Sequence, residues 1–212
     1  MRTTPPDRIA DFTQKGWWGE ATASSLFDQA VTDRPHGVAL VDPPNRLEFS
    51  SGAPQRLSFT EIASRVANVA AILHAHGIGQ DDKVVIQLPN IVELPILYLA
   101  LAKLGVIVSP VPVQYSLHEL AKIQEELQPK AYISAAHFKE AEFATTRQPA
   151  FSKACKLFVY GESAPHGSIN LDVEVPSEAE LQSLTTSLKS VSVSANDIFT
   201  IGWTSGTTGE PK

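Results

Sequence analysis

A chain of 212 residues that is 43% hydrophobic and 19% charged has the composition of a globular protein with room for one sizeable core. Its net charge of −6 and its lack of a basic run argue against nucleic acid as a partner, and its single cysteine, Cys155, excludes an internal disulfide and any multi-cysteine metal site. Arg2 and Arg8 precede no apolar run of the kind that directs secretion, and Lys103 interrupts the best candidate span, 91–108, so a cytoplasmic protein without an integral membrane segment is expected.

Residues 1–22 read as a polar, turn-rich N-terminal arm with Pro5-Pro6 and Gly16-Trp17-Trp18-Gly19, and the paired tryptophans are expected to dock it onto the body. Residues 23–212 read as one α/β domain. Ser24 to Val31 predicts a short helix and Val38 to Asp42 a strand, closed by Pro43-Pro44-Asn45. Ser58 with Glu61 forms a capping box, and Ile62, Val66, Val69 and Leu73 recur at helical spacing until Gly77, which predicts a helix over 59–76. His74 and His76, two apart on that helix, point in different directions and are expected to be solvated surface residues rather than ligands of one metal.

Val84 to Leu88 is a β-branched run that predicts a buried parallel strand. Asn90 with Glu93 is expected to cap the next helix, which runs to Leu104, is apolar around most of its circumference and is kinked at Pro95. Val106 to Val108 predicts a strand, and Ser116 with Glu119 a second capping box ahead of Leu117, Leu120, Ile123 and Leu127. Ala131 to Ser134 is a short strand. A helix and a loop are expected over 135–155, with Cys155 as a small buried or half-buried hydrophobe, then a strand from Leu157 to Tyr160 and a short helix near Ser177 to Leu184. Asp197 to Trp203 reads as a buried strand.

Strand and helix alternate with short Gly/Pro punctuation, the pattern of parallel βαβ units: an open, mainly parallel α/β sheet with helices on both faces. Ligands of such sheets sit beyond the carboxyl ends of the strands, where the last stretch is expected: Thr204-Ser205-Gly206-Thr207-Thr208-Gly209-Glu210-Pro211-Lys212. Glycines let a backbone approach an anion, hydroxyls add hydrogen bonds and a lysine adds a mobile positive charge, so the stretch can cradle phosphate. The plainer alternative is a solvated turn. A Walker loop is excluded, because Gly206 and Gly209 lie three apart and no Gly-Lys-Ser/Thr follows.

This nonapeptide, with Ile201 ahead of it, resembles the phosphate-binding signature of the adenylate-forming (AMP-binding) superfamily. Gly16-Trp17-Trp18, Leu57-Ser58-Phe59-Thr60-Glu61-Ile62, Gln87-Leu88-Pro89-Asn90 with Glu93, Ala102-Lys103-Leu104-Gly105 and Glu119-Leu120 fall in the order and approximate spacing of the N-terminal portion of acyl- and aryl-acid–CoA ligases. The resemblance implies a reaction in which a carboxylic acid and ATP, with Mg²⁺, give acyl-adenylate and pyrophosphate, and a thiol, usually coenzyme A, then takes the acyl group. It assigns Thr204, Ser205, Gly206, Thr207, Thr208, Gly209 and Lys212 to the ATP phosphates, and leaves Glu210 and Pro211 to shape the turn. No catalytic residue and no metal ligand can be mapped, because the catalytic lysine, the adenine and ribose contacts and most of the acid pocket of such ligases follow the signature. The 212 residues alone are therefore expected to be inactive and to leave a sheet edge exposed, open to self-association. Two alternatives are an aryl- or acyl-acid AMP ligase that loads a carrier-protein thiol, and a non-catalytic module that binds nucleotide or protein.

Overall fold

The computed structural model describes residues 2–203; the nonapeptide 204–212 lies outside the described residues. The arm is not a plain loop. Pro6 opens helix α1 (Pro6–Gln14), where a missing N–H costs nothing, and Asp7 lies in its first turn. The tryptophans also shape the arm itself. The amides of Trp17 and Trp18 both donate to the carbonyl of Phe12, which folds the chain back and sets both indoles against that ring, at centroid distances of 5.4 and 5.0 Å. Trp17 stays 66% exposed; the arm pairs with the body through Arg2 and Asp197, and Trp17 and Trp18 line a cleft with Ala195 and Ile198.

Helix α2 (Ala23–Asp33) starts from a Thr22/Ser25 box. Strand β1 (Val38–Val41) forms where the apolar run predicts one, but it pairs antiparallel with β2 (Arg56–Ser58) in a separate two-stranded sheet. Helix α3 (Phe59–Ala75) carries the expected Ser58/Glu61 box and ends before Gly77, whose φ of +81° suits a residue without Cβ. Its far end corrects the reading of His76, which is half-buried: Nε2 lies 2.9 Å from Glu174 Oε1 and the ring meets Phe158 edge-on.

Strand β3 (Lys83–Gln87) leads into helix α4 (Glu93–Lys103). Here too the cap differs. The N-cap residue is Val92, with no side-chain cap, and Glu93 is turned inward. Because the helix begins at Glu93, Pro95 falls in its first turn, where no intrahelical acceptor awaits its N–H and no kink is required. Strand β4 (Ile107–Pro110), helix α5 (Leu117–Leu127) and strand β5 (Ala131–Ala135) follow as predicted. The loosely patterned stretch after β5 holds a tiny hairpin, β6 (His137–Phe138) with β7 (Ala141–Glu142), then helix α6 (Phe143–Arg147) and a 3₁₀ turn, Gln148–Ala150. Strand β8 (Lys156–Tyr160), the short β9 (Ile169–Asn170) and helix α7 (Glu178–Leu188) complete the described elements; a Ser177/Glu180 box carries α7 one turn past its predicted end.

The main sheet has the order β4-β3-β5-β8-β9 with every pair parallel. Alternation along the strands sorts the core into two layers. Val84, Ile86, Ile133 and Phe158 pack with α3 and α4, whereas Val85, Tyr132, Leu157 and Val159 pack with Leu120, Ile123 and Leu127 of α5 and Ala144 of α6. Helices therefore cover both faces, as expected. Residues 197–203 are less than the buried strand predicted for them. Thr200 makes one parallel bridge to Val108, with Val108 N–H donating to Phe199 O (2.8 Å) and Ile201 N–H to Val108 O (2.9 Å), and the segment is half-buried outside β4.

Candidate functional site

Parallel strands align their carboxyl ends on one rim of the sheet, and polar side chains gather there. Gln87, the last residue of β3, is fully buried. Its Nε2 donates to the carbonyls of Pro112 (2.8 Å) and Tyr115 (3.0 Å), while its Oε1 accepts from the Tyr132 hydroxyl at 2.6 Å. Burial pushes the Tyr132 phenol well above its ordinary value, so it remains a donor across the physiological range. One amide thus fastens the turn after β4 to the middle of the sheet.

On the same rim, where α4 leaves β3, Arg46 lies between two carboxylates. Nη1 donates to Asp42 Oδ2 (2.7 Å) and to Glu93 Oε2 (3.0 Å), Nη2 to Glu93 Oε1 (2.7 Å), and Nε to the Ser51 carbonyl (2.9 Å). Asp42 also accepts from the amides of Gln55 and Val92, the latter just ahead of α4. Burial alone would lower the pKa of Arg46; Glu93 and Asp42 outweigh it and hold the guanidinium above its ordinary value. The network ties the 43–55 excursion to the rim. Sequence reasoning missed it, and the only signal was an acid closing an apolar strand at Asp42.

The residues assigned to phosphate, Thr204, Ser205, Gly206, Thr207, Thr208, Gly209 and Lys212, lie outside the described residues. Their approach is described. The parallel bridge to β4 at Val108 directs the segment toward the carboxyl rim, and Trp203 Nε1, two residues past Ile201, donates to Ser109 Oγ at 2.7 Å. Among the described residues no group of three or more His, Cys, Asp or Glu stands together to hold a metal, and no helix is long and apolar enough to cross a membrane. A cavity of about 140 Å³ opens at the opposite rim, lined by Ser24, Gln80, Asp81, Gly105 and Val106, before the starts of β3 and β4.

A sequence model of the family described as AMP-binding enzyme matches residues 27–212. The medium-chain fatty-acid–CoA ligase of Escherichia coli (strain K12) is 26% identical over 209 residues, 97% of this chain and 34% of its own length. The salicyl-AMP ligase / salicyl-S-ArCP synthetase of Mycobacterium tuberculosis is 31% identical over 103 residues, 49% of this chain and 17% of its own. Among solved structures, apo MbtA of Mycobacterium smegmatis superimposes with a TM-score of 0.73 at 18% identity, over 99% of this chain and 36% of that one, a likeness of fold. The chain spans about a third of the length of such full-coverage relatives.

Proposed function

Since the chain belongs to the family of AMP-binding enzymes, we propose that it is the part of an ATP-dependent acid–thiol ligase that holds the triphosphate, most simply in an acid–CoA ligase. A substrate carboxylate oxygen forms a bond to the α-phosphorus, and the bond from that phosphorus to the bridging oxygen breaks, with the electron pair leaving on pyrophosphate. The thiol of coenzyme A then forms the thioester, releases its proton and expels AMP. Phosphoryl chemistry of this kind asks a protein mainly for alignment and for stabilisation of charge moving to the leaving group. Thr204, Ser205, Gly206, Thr207, Thr208 and Gly209 are assigned to the β- and γ-phosphates through hydroxyl and backbone N–H groups, and Lys212 to the same phosphates as a point charge. Mg²⁺ is assigned to the triphosphate itself, where it would neutralise charge.

What supports this reading is the continuity of a family match through residue 212 with a segment that runs parallel to β4, toward the carboxyl rim, as far as Trp203. A carrier-protein thiol is the second reading for the acceptor, favoured by the S-ArCP in one relative's name where another's carries CoA. The outer edge of the sheet beyond residues 199–201 is a further candidate surface, for pairing with another copy.

The test is exchange of labelled pyrophosphate into ATP by the protein expressed from its native gene, across fatty and aryl acids. Carboxylate-dependent exchange is expected, reduced about a hundredfold to a thousandfold by Lys212→Ala, the size of effect of removing one donor aimed at developing charge. Residues 1–212 alone are expected to give none; exchange by them would overturn the assignment of the acid and adenine contacts to residues beyond the signature. Competition between coenzyme A and a carrier protein for the acyl group then decides the acceptor.

A further inference from the structure

We propose that Ser109 is a positioning residue for the phosphate loop and acts through Trp203; the proposal rests on the assignment of 204–212 to ATP phosphates. The backbone ladder between β4 and the 199–201 segment consists of Val108 N–H to Phe199 O and Ile201 N–H to Val108 O. In a parallel pair the next donor on β4 is two residues on, and it is Pro110, which has no N–H. The ladder therefore ends at Ile201. Gly202 follows, exposed, and a Cβ built on it would meet nothing within 4 Å, so no packing restrains the chain at that residue. What holds the chain next is the indole of Trp203. Its Nε1 donates to Ser109 Oγ at 2.7 Å, and the ring packs among residues of the α5 layer.

Ser109 is suited to be the fixed end of that bond. It is 0% exposed and sits on β4 in register with Val85 of β3, so the anchor belongs to the rigid interior of the sheet. The bond thus takes over where proline ends the backbone ladder, and it sets the position and direction from which the chain enters residue 204. A loop that must hold three phosphates in line gains from a fixed point of entry, because a misplacement on the order of 1 Å is enough to cost about a hundredfold in rate.

Two variants of the protein expressed from its native gene test this: Ser109→Ala, which removes the acceptor, and Trp203→Phe, which keeps an aromatic ring but removes the donor. Both are expected to speed deuterium uptake in a peptide spanning 199–212 and to raise the KM for MgATP about tenfold, the loss of roughly one buried hydrogen bond, with the KM for the acid changed less than about twofold. Because both remove the same bond, the double variant is expected to be no worse than either single one. Unchanged uptake in 199–212 would overturn the tether whatever the kinetics. Faster uptake with an unchanged KM for MgATP, or fully additive effects in the double variant, would overturn its link to phosphate binding. A wild-type protein without any exchange activity counts against the ligase reading instead, and deuterium uptake still decides the tether.

Discussion

Arg46 is buried with two carboxylates around it, so its charge is tolerated only while both are in place. Breaking a buried ion pair from one side leaves the other charge uncompensated. Arg46→Met is therefore expected to lower the unfolding free energy by about 3–5 kcal/mol, and Glu93→Gln, which keeps an acceptor, by less; urea titration followed by circular dichroism reads both. A loss no larger than that of an ordinary surface substitution would show the network to be dispensable. Cys155 gives a pH-dependent prediction. Burial pushes its thiol from 9.0 up to about 12, so it is expected to resist alkylation by iodoacetamide at pH 8 and to react roughly tenfold faster for each unit above that. A folded pKa above the unfolded one means that its contribution to stability is present below pH 9.0 and is lost as the pH rises toward 12. The half-buried place of Cys155 was legible from its residue type. The role of Glu93 was not, because an acid three residues after Asn90 satisfies the local capping rule, while its true partner lies 47 positions upstream and no local rule looks that far.

Capping boxes open α3, α5 and α7, and each places a glutamate where serine donates to it. The hydrogen bonds from Ser58, Ser116 and Ser177 hold Glu61, Glu119 and Glu180 below the usual carboxylate range. A folded pKa below the unfolded one means that the stabilisation is present above pH 4.5 and is lost as the pH falls through the depressed values. Thermal melts down a pH series are expected to show this loss, and a variant with all three serines changed to alanine is expected to show a shallower acid decline. Ser177→Ala alone is expected to cost about 1 kcal/mol, the usual price of a lost N-cap. An unchanged melting temperature would mean that α7 draws its stability from packing on α3. The boxes of α3 and α5 could be read directly from the sequence. The full length of α7 could not, since its apolar positions are few and Leu184 is its one buried residue.

At the scale of the whole molecule, the alternation of strand and helix was enough to give the parallel sheet and its two helical layers, because a period of two and a period of 3.6 are both local properties. Local pattern does not say which strands pair. Thus the sequence predicts β1 as a strand but not its antiparallel partner β2, and residues 197–203 read as a buried strand, whereas the edge position beside β4 and the proline at 110 limit them to one bridge. The candidate site was legible in one respect and not in another. Its nine residues, 204–212, lie outside the described residues; by composition alone they also suit a solvated turn, and only their resemblance to the family signature assigns them to phosphate, while Ser109 lies 94 positions from Trp203 and carries no motif of its own.

The Arg2–Asp197 pair joins positions 195 apart, with Arg2 more than half exposed. Closing so long a loop asks much entropy of the chain, and a solvated ion pair returns about 0–1 kcal/mol at most. The β3–β5–β8 centre, which closes smaller loops, is therefore expected to form before the two ends of the described chain come together. The same weakness runs in reverse. On warming or in strong salt, the arm is expected to part from the body before the sheet loosens, so trypsin would reach Arg8 while the core strands are still protected from deuterium.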